Sequence, residues 1–196
     1  MLLSCYNENY IEAGLDEVGR GCLAGPVVAA AVILPKNYTH PILTDSKQLS
    51  RFQREQLREE LQRDALAWAV AEVSNEEIDR INILKASFLS MHQALDAIMS
   101  KIDGIKPDHL LVDGNRFVNY PMIPHTCIVK GDTKFLSIAA ASVLAKTYRD
   151  ELMEKLAVEF PHYGWERNVG YPTPFHRRAI QEHGPCRWHR MSFRLV

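Results

Sequence analysis

The sequence reads as an α/β fold built on a mixed sheet, and three observations predict it. Two apolar segments, "IEAGLDEV" (11–18) and "PVVAAAVIL" (26–34), are joined by a glycine-rich link, the mark of a hairpin and so of antiparallel pairing. Apolar residues at helical spacing follow a third strand-like segment. Two further short apolar segments then precede a long helical stretch. Strands first, with strand–helix alternation afterwards, is the order of an α/β domain with a mixed sheet.

Each element has its own local reason. "PVVAAAVIL" is apolar throughout and stops at Pro35, as a buried strand would. "LTDSKQLS" (43–50) is a polar loop, after which Ser50 caps a helix and Gln53 completes a capping box. "ALAWAVAEVS" (65–74) is the third strand, its alanines leaving helix open as an alternative. Ser74 and Glu77 form a second capping box. Behind it Ile81, Leu84, Phe88, Met91, Leu95 and Ile98 alternate steps of three and four, one apolar stripe on one long helix. "HLLVDGN" (109–115) is a short buried strand ending in an acid and a turn, and "HTCIVK" (125–130) is another. Residues 135–160 form a helix with Leu144, Tyr148, Leu152 and Leu156 at steps of four, and its Ala-Ala-Ala-Ser run lets it lie close to a sheet. "PHYGWERNVGYPTPFH" (161–176) is a loop, and "HRRAIQEHG" (176–184) is a last short helix.

The totals bound the answer. The chain has 196 residues, 46% of them hydrophobic, enough for one soluble domain and too few for two comfortable ones. Net charge is −1 but uneven: residues 1–129 carry 12 Lys and Arg against 17 Asp and Glu, a net of −5, and residues 130–196 carry 11 against 7, a net of +4. A basic final third suits an anionic partner, although a solvated basic helix explains charge alone equally well. Cys5, Cys22, Cys127 and Cys186 show no CxxC spacing and are expected as free thiols in a reducing compartment. The N-terminus lacks the cationic start and apolar core of a signal peptide, and no apolar run has membrane-spanning length, so a cytoplasmic protein is expected.

Asp16, Glu17, Asp113 and Asp132 all fall at the C-terminal ends of expected strands, the edge where α/β sites form. Four converging carboxylates repel and raise one another's pKa. Hard divalent cations relieve that conflict, and two of them ~4 Å apart suit phosphodiester hydrolysis. Each acid also has an ordinary explanation. Asp113 before Gly114 is a common turn former, and Asp132 could cap the following helix. Neighbours on a regular strand point to opposite faces, so Glu17 joins Asp16 only if the strand ends or bulges there, which Gly19 and Gly21 would permit. Asp16 is the hardest to explain by packing. Glycines on both sides of Arg20 allow close backbone approach to a ligand, with Arg20 free to pair with a phosphate; a tight turn with a solvated arginine is the alternative.

"DEVGRG" (16–21) with "GPVVAAAVIL", then "DSKQLS" (45–50), "VDGN" (112–115), "KGD" (130–132), "SVLAKTYRD" (142–150) and "GYPT" (170–173) together resemble bacterial ribonuclease HII, the type 2 ribonuclease H, over nearly the whole chain. The resemblance implies a ribonuclease H-like fold: a mixed five-stranded sheet flanked by helices, with a helical C-terminal part. It implies a single catalytic domain over residues 1–196, with 161–196 contacting substrate. It implies hydrolysis of the RNA strand of RNA–DNA hybrids and incision 5′ of single ribonucleotides in duplex DNA, leaving 5′-phosphate and 3′-hydroxyl ends. Asp16, Glu17, Asp113 and Asp132 match the family's four acids, which hold two Mg²⁺ or Mn²⁺ ions, Asp16 bridging both. Gly19, Arg20 and Gly21 match the loop that senses the ribose 2′-hydroxyl, the group that separates RNA from DNA. Tyr171 matches the aromatic that stacks on the following deoxyribose, Lys47 and Lys146 match phosphate contacts, and Ser46 helps through its hydroxyl. A monomer is expected.

One position departs from the family: Val169 stands where a cation usually precedes "GYPT", which would cost a phosphate contact. Two other readings stay open on sequence alone. One is a different nuclease of the same fold class acting on DNA, against which the Gly-Arg-Gly loop and "GYPT" argue. The other is a non-catalytic hybrid-binding module, disfavoured because four unneutralised carboxylates would repel the ligand.

Overall fold

The computed structural model describes residues 2–101 and 105–196. Strands β1 (Glu12–Val18) and β2 (Val27–Ile33) form the expected antiparallel hairpin, with Ala13 opposite Ile33 and Val18 opposite Val28. Strand β3 (Ala67–Val73) pairs antiparallel with the far side of β2. Strands β4 (His109–Asp113) and β5 (His125–Ile128) extend the other side in parallel, giving the order β3-β2-β1-β4-β5. This is the mixed five-stranded sheet that the sequence leads one to expect.

Every residue of β2 is buried, which requires cover on both faces. Side chains alternate between those faces with period two. Val28, Ala30 and Val32 pack on one face against helices α1 (Arg51–Asp64) and, further along the chain, Leu136–Glu159. Ala29, Ala31 and Ile33 pack on the other against Met91, Leu95 and Ile98. Helix α1 starts at the Ser50–Gln53 capping box, both hydrogen bonds being present. Gly14 of β1 lies directly on the backbone of Ser137 and Ile138, and a β-carbon there would overlap both residues. That contact sets how closely β1 and the long helix approach.

The apolar stripe over 81–98 lies on two helices, not one: α2 (Asn75–Ile81) and α3 (Ile83–Lys101). Asn82 separates them with φ 72°, and its Oδ1 accepts the N–H groups of Leu84 and Lys85 at 3.1 and 3.2 Å. Asparagine tolerates the left-handed region, and its side chain caps the start of α3. The second capping box is half formed. Ser74 accepts the Glu77 N–H at 3.2 Å, while the Glu77 carboxylate is taken by Arg80.

Helix α4 (Leu136–Glu159) is the longest element. Of its expected stripe Leu144 and Leu156 are buried and Leu152 is partly buried, but Tyr148 is 42% exposed, and a buried line beside it runs through Ala145, Arg149 and Met153. The expected loop after it contains a 3₁₀ turn (Pro161–Tyr163) and a single helical turn, α5 (Trp165–Asn168). Helix α6 (Pro174–His183) starts earlier than expected because Thr173 caps it and Pro174 takes the first helical position. These C-terminal elements pack with Leu23, Ala24 and the end of α4 in a cluster of their own around Trp165. All four cysteines are free, and among the described residues no helix is long and apolar enough to cross a membrane.

Gly14→Ala is expected to destabilise the fold by about 3 kcal/mol, because backbone on both sides of the contact has nowhere to move. Thermal unfolding should show Tm falling by roughly 6–12 °C. A variant as stable as the parent would mean that β1 does not seat on α4 at this glycine.

Candidate active site

The β1–β4 ladder ends at Leu15 opposite Val112, so β1 carries Asp16 and Glu17 past its last partner on that side. Asp113 is the final residue of β4, and Asp132 sits on the 3₁₀ turn Gly131–Thr133 just after β5. The Asp113 Oδ1 accepts the Gly131 N–H at 2.7 Å, tying that turn to the end of β4. Asp16 and Asp113 share the α4 face with the neighbouring residues Ala30 and Leu111. Glu17 is opposite Ala29 and lies on the α3 face. The expected break or bulge is absent, since β1 stays regular to Val18. Glu17 nevertheless remains electrostatically linked to Asp16 and Asp113, because β4 has ended and no strand separates them.

Their electrostatics follow from that crowding. Burial, then the charges of Glu17, Asp113 and Asp132, push Asp16 well above the usual carboxylate range; the Ser142 hydroxyl offsets part of this. Glu17 is also raised by burial, against the opposing hydrogen bond from Arg20. Asp132 is pushed up to about 6 by burial, Asp113 and Asp45. Three of the acids turn to internal donors: Asp16 to the Glu17 N–H at 2.7 Å, Glu17 to Arg20 at 3.0 Å, and Asp113 to Gly131. Among the described residues no three such groups stand as a closed metal cage. The donor set is all oxygen and mutually repelled, which suits Mg²⁺ or Mn²⁺ and not softer ions. A cleft of about 350 Å³ opens beside Glu17, Arg20 and Asp113, floored by Leu84, Phe88 and Met91.

The glycine loop sits at the same end. Gly19 has φ 94° and rests on the guanidinium of Arg149, so no side chain fits. A β-carbon on Gly21 would meet the Tyr171 ring at 4.0 Å, which makes the two loops neighbours. Arg20 is exposed, and its guanidinium pairs with Glu17 at 3.0 Å. Lys47 follows Asp45 on the turn Ser46–Gln48, where Asp45 Oδ1 accepts its N–H at 2.9 Å. Burial would lower the Lys47 ammonium, but Asp45, Asp16 and Asp132 outweigh it and raise it, so Lys47 faces the acids. Ser46 is buried and its hydroxyl lies 2.9 Å from that of Ser142. Lys146 pairs with Asp150 at 2.7 Å, and Arg54 approaches the same carboxylate at 3.5 Å.

Several participants escaped the sequence reading. Ser142 and Asp45 touch the acids or Lys47 through contacts that join distant segments. Arg149 and Arg190 are wholly buried, so the basic final third presents less charge to solvent than its count suggests. The signal for Arg149 was present in its position four residues after Ala145 and four before Met153, on the buried line of α4. Val169 is half-buried in the C-terminal cluster with φ 42°, a costly conformation for a β-branched residue. Its carbonyl accepts Arg149 Nη1 at 2.7 Å.

A family model described as Ribonuclease HII matches residues 13–196. The chain belongs to the ribonuclease HII family. The ribonuclease HII of Bacteroides fragilis is 62% identical over 196 residues, covering 100% of this chain and 95% of the relative. That of Bacteroides thetaiotaomicron is 60% identical, covering 100% and 96%. Among solved structures, ribonuclease H2 from Pyrococcus horikoshii superimposes with a TM-score of 0.76 at 26% identity, covering 94% of each chain. Ribonuclease HII enzymes are metal-dependent endonucleases that hydrolyse RNA in RNA–DNA hybrids, and that is the activity of this chain.

The crowding of acids has a stability consequence. Asp16→Asn is expected to raise Tm at pH 8 in EDTA. Because the folded-state pKa of Asp16 lies above its unfolded value, its unfavourable charge is fully felt at high pH. The deficit shrinks as pH falls and the folded carboxyl takes up its proton. The Tm gap between variant and parent should therefore narrow from pH 8 toward pH 4. Equal Tm values at pH 8 would show that Asp16 is not held against repulsion.

Proposed function

We propose that Asp16, Glu17, Asp113 and Asp132 hold two divalent cations, Mg²⁺ or Mn²⁺, which when bound stabilise both the attacking and the departing oxygen of a phosphodiester. The observation that carries this is the mutual electrostatic strain of the four acids beside the loops bearing Gly19 to Gly21 and Tyr171. Asp16 feels all three other acids, which supports its role as the shared ligand. Lys47 faces the same acids and is suited to steady a non-bridging phosphate oxygen. Ser46 and Ser142 orient the buried side of Asp16. Lys146 gives one of its three N–H donors to Asp150, leaving two for a phosphate oxygen.

The substrate is an RNA–DNA hybrid or a DNA duplex carrying a single ribonucleotide, incised on its 5′ side to leave 5′-phosphate and 3′-hydroxyl ends. The backbone at Gly19, Arg20 and Gly21 reads the ribose 2′-hydroxyl, and the Tyr171 ring stacks on the sugar next in line. A β-carbon on Gly21 would meet the Tyr171 ring at 4.0 Å, which supports the two loops acting on adjacent nucleotides. Arg20, paired with Glu17, bears on the loop through its backbone and through the orientation of Glu17. The whole chain acts as one catalytic domain and as a monomer, residues 161–196 contacting substrate.

The test is cleavage of a labelled DNA duplex with one ribonucleotide, in Mg²⁺, Mn²⁺ or EDTA, beside an all-DNA duplex. Metal-dependent incision 5′ of the ribonucleotide with the control intact is expected. Cleavage of both duplexes would remove the ribose reading, and binding without turnover would remove the metal reading. Asp16→Asn should abolish cleavage and retain measurable hybrid binding. Tyr171→Ala should lower incision at the single ribonucleotide about tenfold, the size of one stacking contact; an unchanged rate would exclude the stacking role.

A further inference from the structure

We propose that His176 is a positioning residue for Tyr171, and that Trp165 and His189 lock His176 in the one tautomer able to do this. The proposal rests on the stacking role of Tyr171. His176 is wholly buried at the start of α6, and its Nδ1 lies 3.0 Å from the Tyr171 carbonyl oxygen. A carbonyl only accepts, so Nδ1 must carry the hydrogen, and in the neutral ring Nε2 is left with a lone pair. The Trp165 indole N–H donates to that lone pair at 3.0 Å.

His189 completes the logic. The single lone pair of His176 Nε2 is shared between the Trp165 N–H and His189, whose Nε2 lies 3.2 Å away and carries the hydrogen of that ring. His189 Nδ1 is then an acceptor, and the Cys186 backbone N–H donates to it at 3.0 Å. Three groups that do not titrate near neutrality therefore fix both rings: the Tyr171 carbonyl, the Trp165 indole and the Cys186 amide. Both imidazoles are held neutral. Burial lowers His176, and burial with His176 lowers His189 to about 4.

This network holds the perch of Tyr171. The Tyr171 carbonyl also accepts the Thr173 N–H at 2.8 Å, and the Tyr171 N–H donates to Asn168 O at 2.8 Å. The Gly170 carbonyl accepts the Leu23 N–H at 2.7 Å, stitching this loop to the segment after Gly21. Thr173 bends the backbone locally and Asn168 holds the Tyr171 N–H; His176 is the side chain that ties the Tyr171 carbonyl to the buried Trp165 and His189. The distance between the backbone that reads the 2′-hydroxyl and the ring that reads the next sugar is thereby fixed. Losing it should impair substrates that need both contacts, and spare those in which every sugar is a ribose.

The experiment compares His176→Phe, which keeps bulk and removes the donor, with His176→Asn, whose amide nitrogen can occupy the Nδ1 place. Each is assayed on a duplex with one ribonucleotide and on a continuous RNA–DNA hybrid, with Tm recorded. His176→Phe should lower the single-ribonucleotide to hybrid rate ratio about tenfold, through kcat more than KM. His176→Asn should keep the ratio within about threefold of the parent. An equal loss on both substrates would reduce His176 to a structural residue and overturn the proposal. So would an unchanged ratio in His176→Phe while Tyr171→Ala lowers it. An unchanged ratio in Tyr171→Ala would instead fail the stacking reading and take this proposal with it. Should the phenylalanine variant not fold, ¹⁵N NMR of the parent decides: His176 must show a protonated Nδ1 and a bare Nε2, and the opposite tautomer refutes the inference.

Discussion

Two buried guanidinium groups without a carboxylate partner hold the catalytic end of the molecule together. Arg149 donates to the carbonyls of Ala24, Pro26 and Val169, and Arg190 to those of Arg20, Gly25 and Pro26. Neither forms an ion pair among the described residues. An unpaired buried cation costs several kcal/mol unless its donors are filled, so these carbonyls are not interchangeable. The loop after β1 must take the path that brings its carbonyls inward. Arg190 also lies over the Phe193 ring at 5.2 Å, and burial lowers its pKa to about 10. The Gly19 turn, the hairpin link and the approach to Tyr171 all depend on this cage.

The acids are arranged in the opposite sense. The arginines satisfy their donors internally, whereas the four carboxylates are left short of positive charge, with Arg20 and Lys47 as the nearby cations. The fold tolerates this because Asp16 and Glu17 ride on a strand fixed elsewhere: by six residue pairs to β2 and by the contact of Gly14 with α4. Local conflict among groups held by a rigid scaffold is the usual signature of a binding site. Here the scaffold is the sheet core, the conflict lies at its C-terminal edge, and the arginine cage positions the loops that read the substrate around it.

The sequence by itself determined the elements whose causes are local. The β1–β2 hairpin, the wholly apolar β2, the Ser50–Gln53 cap and the acids near the strand ends are legible because period-two burial and cap chemistry act within a few residues. The family motifs, taken in order, carried the activity. The tertiary structure alone decided where charges go and where helices break. Asn82 divides one stripe between two helices, a choice made by packing of both against the sheet. Glu17 lies on the other face of the sheet from Asp16 and Asp113 and still acts on Asp16 through its charge, past the end of the β1–β4 ladder, a fact about a strand far along the chain. Arg20 turns back to Glu17, Lys146 turns to Asp150, and Arg149 goes inward, each toward a partner set by the fold. A charged side chain has no local preference strong enough to fix its destination. Its partner is whichever distant carbonyl or carboxylate the fold brings within about 3 Å, the range in which a hydrogen bond outweighs the loss of water.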